Sequence, residues 1–474
     1  MSAAFLSALL FAAAPPADAP LADAVETRDA AAIDRLLDRE EPGVNLAQPD
    51  GMTALHWAVR RGEDSIVARL INAGADATAE THYGVTPLAL ACELGDAGIV
   101  RRLLDAGADA NARFPDGSTP LLSAARTGRP AALKALLEAG SKPNAADPRG
   151  QTALMWAAAA GHATAIDVLV AADANVNATL PSGFTPFLFA VREGEVAAAR
   201  RLLAAGVDVN APAEVRKGAR NGLRNGTPPL ALAVENGHFE LAAALLNAGA
   251  APDDLRSGFA ALHAISWVRK PMRGDGDPAP TGSGSLTSLE FVRVLIDAGA
   301  DVNLRLKGSP PGHPGLNKKG ATAFLLACES CDVPLMTALL DAGADETLTN
   351  ADGTTALLAA AGVGALGSGD EPAATEAEAV EAVRWLLDRG AKIDLVDDRG
   401  ETAMHGAAYK NRPDVVRLLA EHGADPAVWN VENRSGWTPL EIASGQRRGN
   451  FRPSPETIAA IQAVLARPFT VRSD

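Results

Sequence analysis

Five threonines, Thr53, Thr86, Thr119, Thr152 and Thr185, stand at a constant interval of 33 residues, and each opens the same order of apolar, small and turn-forming residues. Residues 84–111, GVTPLALACELGDAGIVRRLLDAGADAN, show what one interval contains. The Thr86 hydroxyl can accept from a free amide in the first turn of a helix, and Pro87 fits the first helical position, where a missing N–H costs nothing. Leu88, Leu90 and Ala91 then share a face. Gly95 breaks the helix; Ile99, Val100, Leu103 and Leu104 form a second apolar face at helical spacing, and Gly107 supplies a left-handed terminus. The spacing predicts two short antiparallel helices per interval. A unit this small cannot bury its apolar faces alone, so the repetition predicts a stack in which each unit packs on its neighbours, without one central core.

The opening hexapeptides carry a resemblance. TALHWA (53–58), TPLALA (86–91), TALMWA (152–157), TAMHGA (402–407) and TPLEIA (438–443), on a 33-residue period, resemble the T-P-L-H-x-A signature of ankyrin-repeat proteins. The resemblance covers roughly residues 20–467 and implies an all-α solenoid: a right-handed stack of helix pairs joined by β-hairpin fingers, with partners bound on the concave side. The segments SGFAALHAISWVRKP (257–271), GATAFLLA (320–327) and GTTALLAAAGVG (353–364) are further similar to exported bacterial ankyrin-repeat proteins of uncharacterised role.

The chain then divides as follows. Residues 1–19 form a leader, 20–45 an N-terminal capping unit without the signature, and 46–210 the regular repeats. Residues 211–437 are repeats interrupted by long loops at 211–226, 266–288, 304–319 and 362–379, and residues 438–467 form a C-terminal capping repeat, about 12 units in all. The Pro/Gly/Ser-rich loop at 266–288 reads as too polar to pack. Asp173 stands where most units end on glycine, a substitution that the left-handed region tolerates. In the leader, an apolar run from Ala3 to Ala14 precedes Ala17-Asp18-Ala19, the order of a secretory signal and its cleavage site, though without a preceding positive charge. The expected location is therefore the periplasm or outside the cell, and the cytoplasm if the leader is not a signal. No later stretch approaches the roughly 20 apolar residues of a membrane span.

A net charge of −15 disfavours nucleic acid and anionic membrane as partners of the whole surface. Cysteine occurs three times, at 92, 328 and 331, which gives no disulfide framework. In register, Cys328 matches the buried position of Cys92 and Cys331 matches the interhelical glycine; the alternative is a local disulfide in an oxidising compartment. His56, His263 and His405 occupy the H of the signature, where the resemblance implies hydrogen bonds between fingers. His162 and His238 follow interhelical glycines. His82 and His313 lie outside these places, and neither has a neighbour at metal-ligand spacing. Nothing reads as a nucleophile elbow, phosphate loop or carboxylate pair, so neither catalysis nor a metal or cofactor is expected.

Recognition has better material. In the resemblance, partners touch the fingers and the positions seven and eight residues after the opening threonine: here Arg60, Arg61, Arg126, Arg192, Trp267, Tyr409 and Lys410, with carboxylates at Glu93, Glu235 and Glu329. Two enlarged fingers are basic: Arg216, Lys217, Arg220 and Arg224 against Glu214 alone, and Arg305, Lys307, Lys318 and Lys319 without an acid. Arg269, Lys270 and Arg273 follow Trp267 in a split-helix loop. Phe184, Phe259 and Trp437, just before opening positions, either pack on the next finger or reach a partner. The expectation is a monomeric scaffold for another protein, acidic in character, with an anionic polymer or carbohydrate as the alternative ligand.

Overall fold

The computed structural model describes residues 19–218, 223–273, 279–308, 315–364, 371–372, 374–446 and 452–466. The chain forms two compact units, one of Met1–Leu180 with Thr185–Val207 and one of Pro181–Phe184 with Asp208–Asp474. The first contains the helix pairs Pro20–Thr27 and Ala30–Leu37, Ala54–Arg60 and Asp64–Asn72, Pro87–Leu94 and Ala97–Asp105, Pro120–Arg126 and Pro130–Glu138, Ala153–Ala159 and Ala163–Ala171, and Pro186–Glu193 and Val196–Ala204. The second contains Pro229–Glu235 and Phe239–Asn247, Ala261–Arg269 and Ser288–Asp297, Ala323–Glu329 and Val333–Asp341, Ala356–Ala361 and Glu376–Asp388, Ala403–Tyr409 and Pro413–Glu421, the single turn Pro426–Trp429, and Pro439–Ala443 with Pro455–Leu465. Within each unit, first helices pack on first helices and second on second.

Local chemistry sets the boundaries of each pair. The Thr86 hydroxyl accepts from the Ala89 amide at 3.1 Å, Pro87 takes the first helical position, and Gly95 ends the helix at φ 75°. Leu88, Ala91, Ile99, Val100 and Leu103 are buried while Leu90 and Leu104 are only partly so, and most of the apolar face read from the sequence is the face that stacks. Non-glycine residues hold the left-handed conformation at Asp173 (φ 60°) and Cys331 (φ 52°), both at places the repeat reserves for glycine. Asn111 links successive pairs: its amide donates to the Gly140 carbonyl at 3.0 Å and accepts from the Lys142 amide at 3.0 Å. Asn144, Asn210 and Asn303 repeat this staple.

The fingers are tight turns, with isolated bridges at Ala47–Thr53 and Ala146–Thr152. In the second unit successive fingers are tied by backbone bonds, Ala351 N–H to Lys319 O, Asp398 N–H to Asp352 O and Arg434 N–H to Arg399 O. The enlarged finger reaches back to Pro181–Phe184 through Arg216 N–H to Pro181 O and Leu223 N–H to Ser182 O, which is why that tetrapeptide belongs to the second unit.

The loop expected from residue 266 begins later, because the helix continues to Arg269 with Val268 buried. Its described residues beyond, expected to be too polar to pack, do pack through hydrogen bonds. Ser283 Oγ lies 3.0 Å from His238 Nδ1, and Ser285 donates to Glu240 Oε1 from both its amide and its hydroxyl. Gly282 lies so close to Gly237 that a Cβ there would fall 2.0 Å from the Gly237 carbonyl oxygen, which requires glycine at this position. Further along, Met272–Arg273 pairs antiparallel with Glu371–Pro372, so two inserted loops from alternate helix pairs form one two-stranded sheet.

Candidate binding surface

Most of the chemistry-bearing side chains hold the stack together. His56 Nε2 lies 3.0 Å from Val85 O, in the next finger, and its Nδ1 meets Thr53. His263 and His405 repeat the arrangement with Leu304 O and Val431 O. Burial lowers all three imidazoles, His263 and His405 to about 4, so they are neutral hydrogen-bonding groups. His82 is exposed, its amide on Asp50 O. His313 lies outside the described residues. Cys92, Cys328 and Cys331 are buried free thiols whose deprotonation burial opposes.

The basic and aromatic candidates separate into two groups. Seven are exposed: Arg60, Arg126, Arg216, Lys217, Arg305, Lys307 and Lys319. Arg60 stacks on the Trp57 ring at 5.4 Å, and Arg126 lies 3.8 Å from Glu93. Arg192 rests on Phe189 and pairs with Glu193. The others are engaged inside the repeat. Lys318 is only 4% exposed, its ammonium on Glu329 at 3.2 Å, so its charge is not presented outward. Arg269 grips the fully buried Asp332 carboxylate through two hydrogen bonds and also donates to Ser288, and Lys270 pairs with Glu378. Arg61 stacks on Trp57 and donates to the Glu26 carbonyl. Trp267 meets Phe259 edge-on at 4.9 Å, and Tyr409 donates to Glu401 at 3.1 Å. Lys410 is half-buried beside it. Arg220 and the side chain of Arg273 lie outside the described residues. Phe184 and Phe259 are buried, whereas Trp437 is partly open.

The sequence reading did not single out a recess in the first unit, with a cavity volume of about 240 Å³. Its floor is Leu122, Ser123 and the half-buried Trp156, and its rim carries Arg126 and Arg149. Asp116 and Asp147 also line it, each used by its own finger. Asp116 Oδ1 accepts from the amide and hydroxyl of Ser118, bonds that hold this carboxyl below its ordinary range, and Asp147 Oδ1 accepts from the amides of Arg149 and Gln151. A signal for this place existed, since Trp57 and Trp156 both stand four residues after an opening threonine.

Serial helix pairs, each closed by a turn and each buried against its neighbours, define a helical repeat protein. The chain belongs to the ankyrin-repeat family: the pattern described as ankyrin repeats (3 copies) matches residues 21–114, 77–147, 121–213 and 373–451, more than half of the chain. Among curated proteins it is similar to the B-cell lymphoma 3 protein homolog of Mus musculus, 35% identical over 162 residues that make up 33% of this chain and 30% of that protein. It is also similar to ankyrin repeat and SOCS box protein 16 of Homo sapiens, 34% identical over 258 residues, 49% of this chain and 51% of the relative. An ankyrin repeat-containing protein of Treponema pallidum (strain Nichols) is 34% identical over 125 residues, 26% of this chain and 36% of its own length. The chain thus spans about a third to a half of the length of these three relatives. Ankyrin repeats are generic protein-interaction modules, and no helix among the described residues is long and apolar enough to cross a membrane.

Proposed function

We propose that this chain is a non-catalytic scaffold that holds another protein through the ends of its first helices and its fingers. One observation supports it most. Apolar side chains and signature histidines are consumed by stacking, while Arg60, Arg126, Arg216, Lys217 and Lys319 stay exposed at helix ends and fingers, on a chain whose net charge is −15. Positive groups displayed on a negative molecule suit an acidic partner. The signal-like leader favours a partner in the periplasm or outside the cell.

A photo-crosslinking amino acid placed at Arg60, Arg126 or Lys319 of the full chain tests this. Each position should capture the same protein from an extract of the producing cell, whereas the probe at Lys134, exposed on a second helix, should not. Capture only from Lys134, or from none of the finger-side positions, would refute the reading.

A further inference from the structure

Two tryptophans in the same register place have different surroundings. The Trp57 indole N–H donates to Gln48 Oε1 at 2.6 Å, and the Gln48 amide in turn donates to Asp23 and Glu26, so this site is filled by the chain itself. Gln48 stands five residues before Thr53; the residue five before Thr152 is Asp147, whose Oδ1 is already occupied by two amides of its own finger. Among the described residues the Trp156 N–H has no acceptor. The Ser123 hydroxyl, on a residue only 6% exposed that lines the same recess, has no hydrogen-bond partner there either, and Arg149 makes no ion pair.

We propose that this recess takes an aspartate or glutamate side chain from an extended acidic segment of the partner protein. The inference rests on the scaffold reading above and names the chemistry of one contact within it. The groups left without any partner include three donors, a guanidinium, an indole N–H and a hydroxyl, while Asp116 and Asp147 are each held by their own finger through Oδ1. Arg126, held to Glu93 only at 3.8 Å, adds a second guanidinium on the same rim. The acceptors in the recess, Asp116 and Asp147, each already take two hydrogen bonds at Oδ1. A carboxylate entering between Arg126 and Arg149 satisfies the donors, and its methylene stem lies along Trp156 and Leu122. A lysine or arginine would find the Asp116 and Asp147 carboxylates, but it would leave the indole N–H, the hydroxyl and both guanidinium groups unmet.

The test is titration of the full chain with three capped decapeptides, in which serine alternates with glutamate, glutamine or lysine, followed by fluorescence anisotropy of a label on the peptide. The glutamate peptide should bind, and the glutamine and lysine peptides should bind at least tenfold more weakly. The double variant Arg126→Glu/Arg149→Glu should reduce glutamate-peptide binding by tenfold or more, and Trp156→Phe and Ser123→Ala by several-fold, with circular dichroism matching that of the wild type. Ser123→Ala changes little volume, so the test survives if the double variant does not fold. Binding of the glutamate peptide that none of the variants weakens would overturn the recess as the acid site and leave the scaffold reading intact. Preference for the lysine peptide, lost in Trp156→Phe, would overturn the assigned charge. No binding of the glutamate peptide, with crosslinking from Arg60 still capturing a protein, would likewise overturn the inference and spare the scaffold.

Discussion

The phenol of Tyr409 donates to Glu401 Oε1 across 3.1 Å, and the Asn433 amide donates to the same oxygen from the following finger at 2.9 Å. The other carboxyl oxygen, Oε2, is buried and has no partner among the described residues. Burial pushes this acid up to about 7, assisted by nearby Asp397 and opposed by Tyr409, Asn433 and Arg399. A folded value above the ordinary 4.5 means that the neutral form is favoured by folding. The associated stability is complete below about 4.5 and is lost as pH rises through about 7. Urea denaturation of the wild type should therefore show a loss on the order of 2 kcal/mol between pH 5 and pH 8.5, and Glu401→Gln should remove most of that difference. Identical slopes in the two proteins would show that Glu401 is not the titrating group.

Acid acts on other residues. His263 and His405 are held to about 4 by burial, below the ordinary 6.5, so they contribute stability above 6.5 that is lost as pH falls toward 4. Thermal unfolding should move to lower temperature over that range. His405→Gln should reduce the acid dependence and, without the bonds to Thr402 and Val431, cost about 1–3 kcal/mol at pH 7.

Removing one member of a buried ion pair costs more than removing both. Arg269→Ala leaves the fully buried Asp332 carboxylate without its cation and should destabilise the second unit by about 3–5 kcal/mol. Arg269→Ala with Asp332→Asn should cost clearly less, and a double-mutant cycle by urea denaturation measures the difference.

Two left-handed residues should respond oppositely to glycine. The Asp173 side chain is exposed to solvent, so Asp173→Gly relieves backbone strain without opening any buried space and should raise stability by about 0.5 kcal/mol. Cys331 is buried and its thiol donates to the Ala360 carbonyl, so Cys331→Gly should lower stability by about 1 kcal/mol despite the same relief. Calorimetry of both variants checks the signs.

The period made the helix pairs legible, because an interval of 33 residues with fixed cap, break and terminus leaves one way to bury two apolar faces. It also placed Asp173 and Cys331 where the repeat otherwise has glycine, while the finger bonds of the signature histidines were implied by the ankyrin resemblance. Side-chain direction in the inserted segments was not legible. Lys318 and Arg269 sit in polar stretches and read as surface charge, yet each turns toward an acid far off in sequence or on the neighbouring helix, Glu329 and Asp332. The recess at Trp156 was hidden for a related reason: whether an indole is covered depends on the residue five places before the opening threonine, a position the repeat leaves free. The asparagine staples were not read from the sequence, because their reach to the next carbonyl shows only in three dimensions.

The pairing of Met272–Arg273 with Glu371–Pro372 changes how the C-terminal half can be dismantled. A ladder of nearest-neighbour packing can be trimmed rung by rung from an end, each removal weakening only the adjacent rung. This clasp joins backbone roughly a hundred residues apart and skips over the intervening pair Ala323–Asp341. A truncation that takes away the Glu371 strand also unfastens the loop after Arg269, so the penalty should appear two rungs upstream of the cut, where a simple repeat protein would show none.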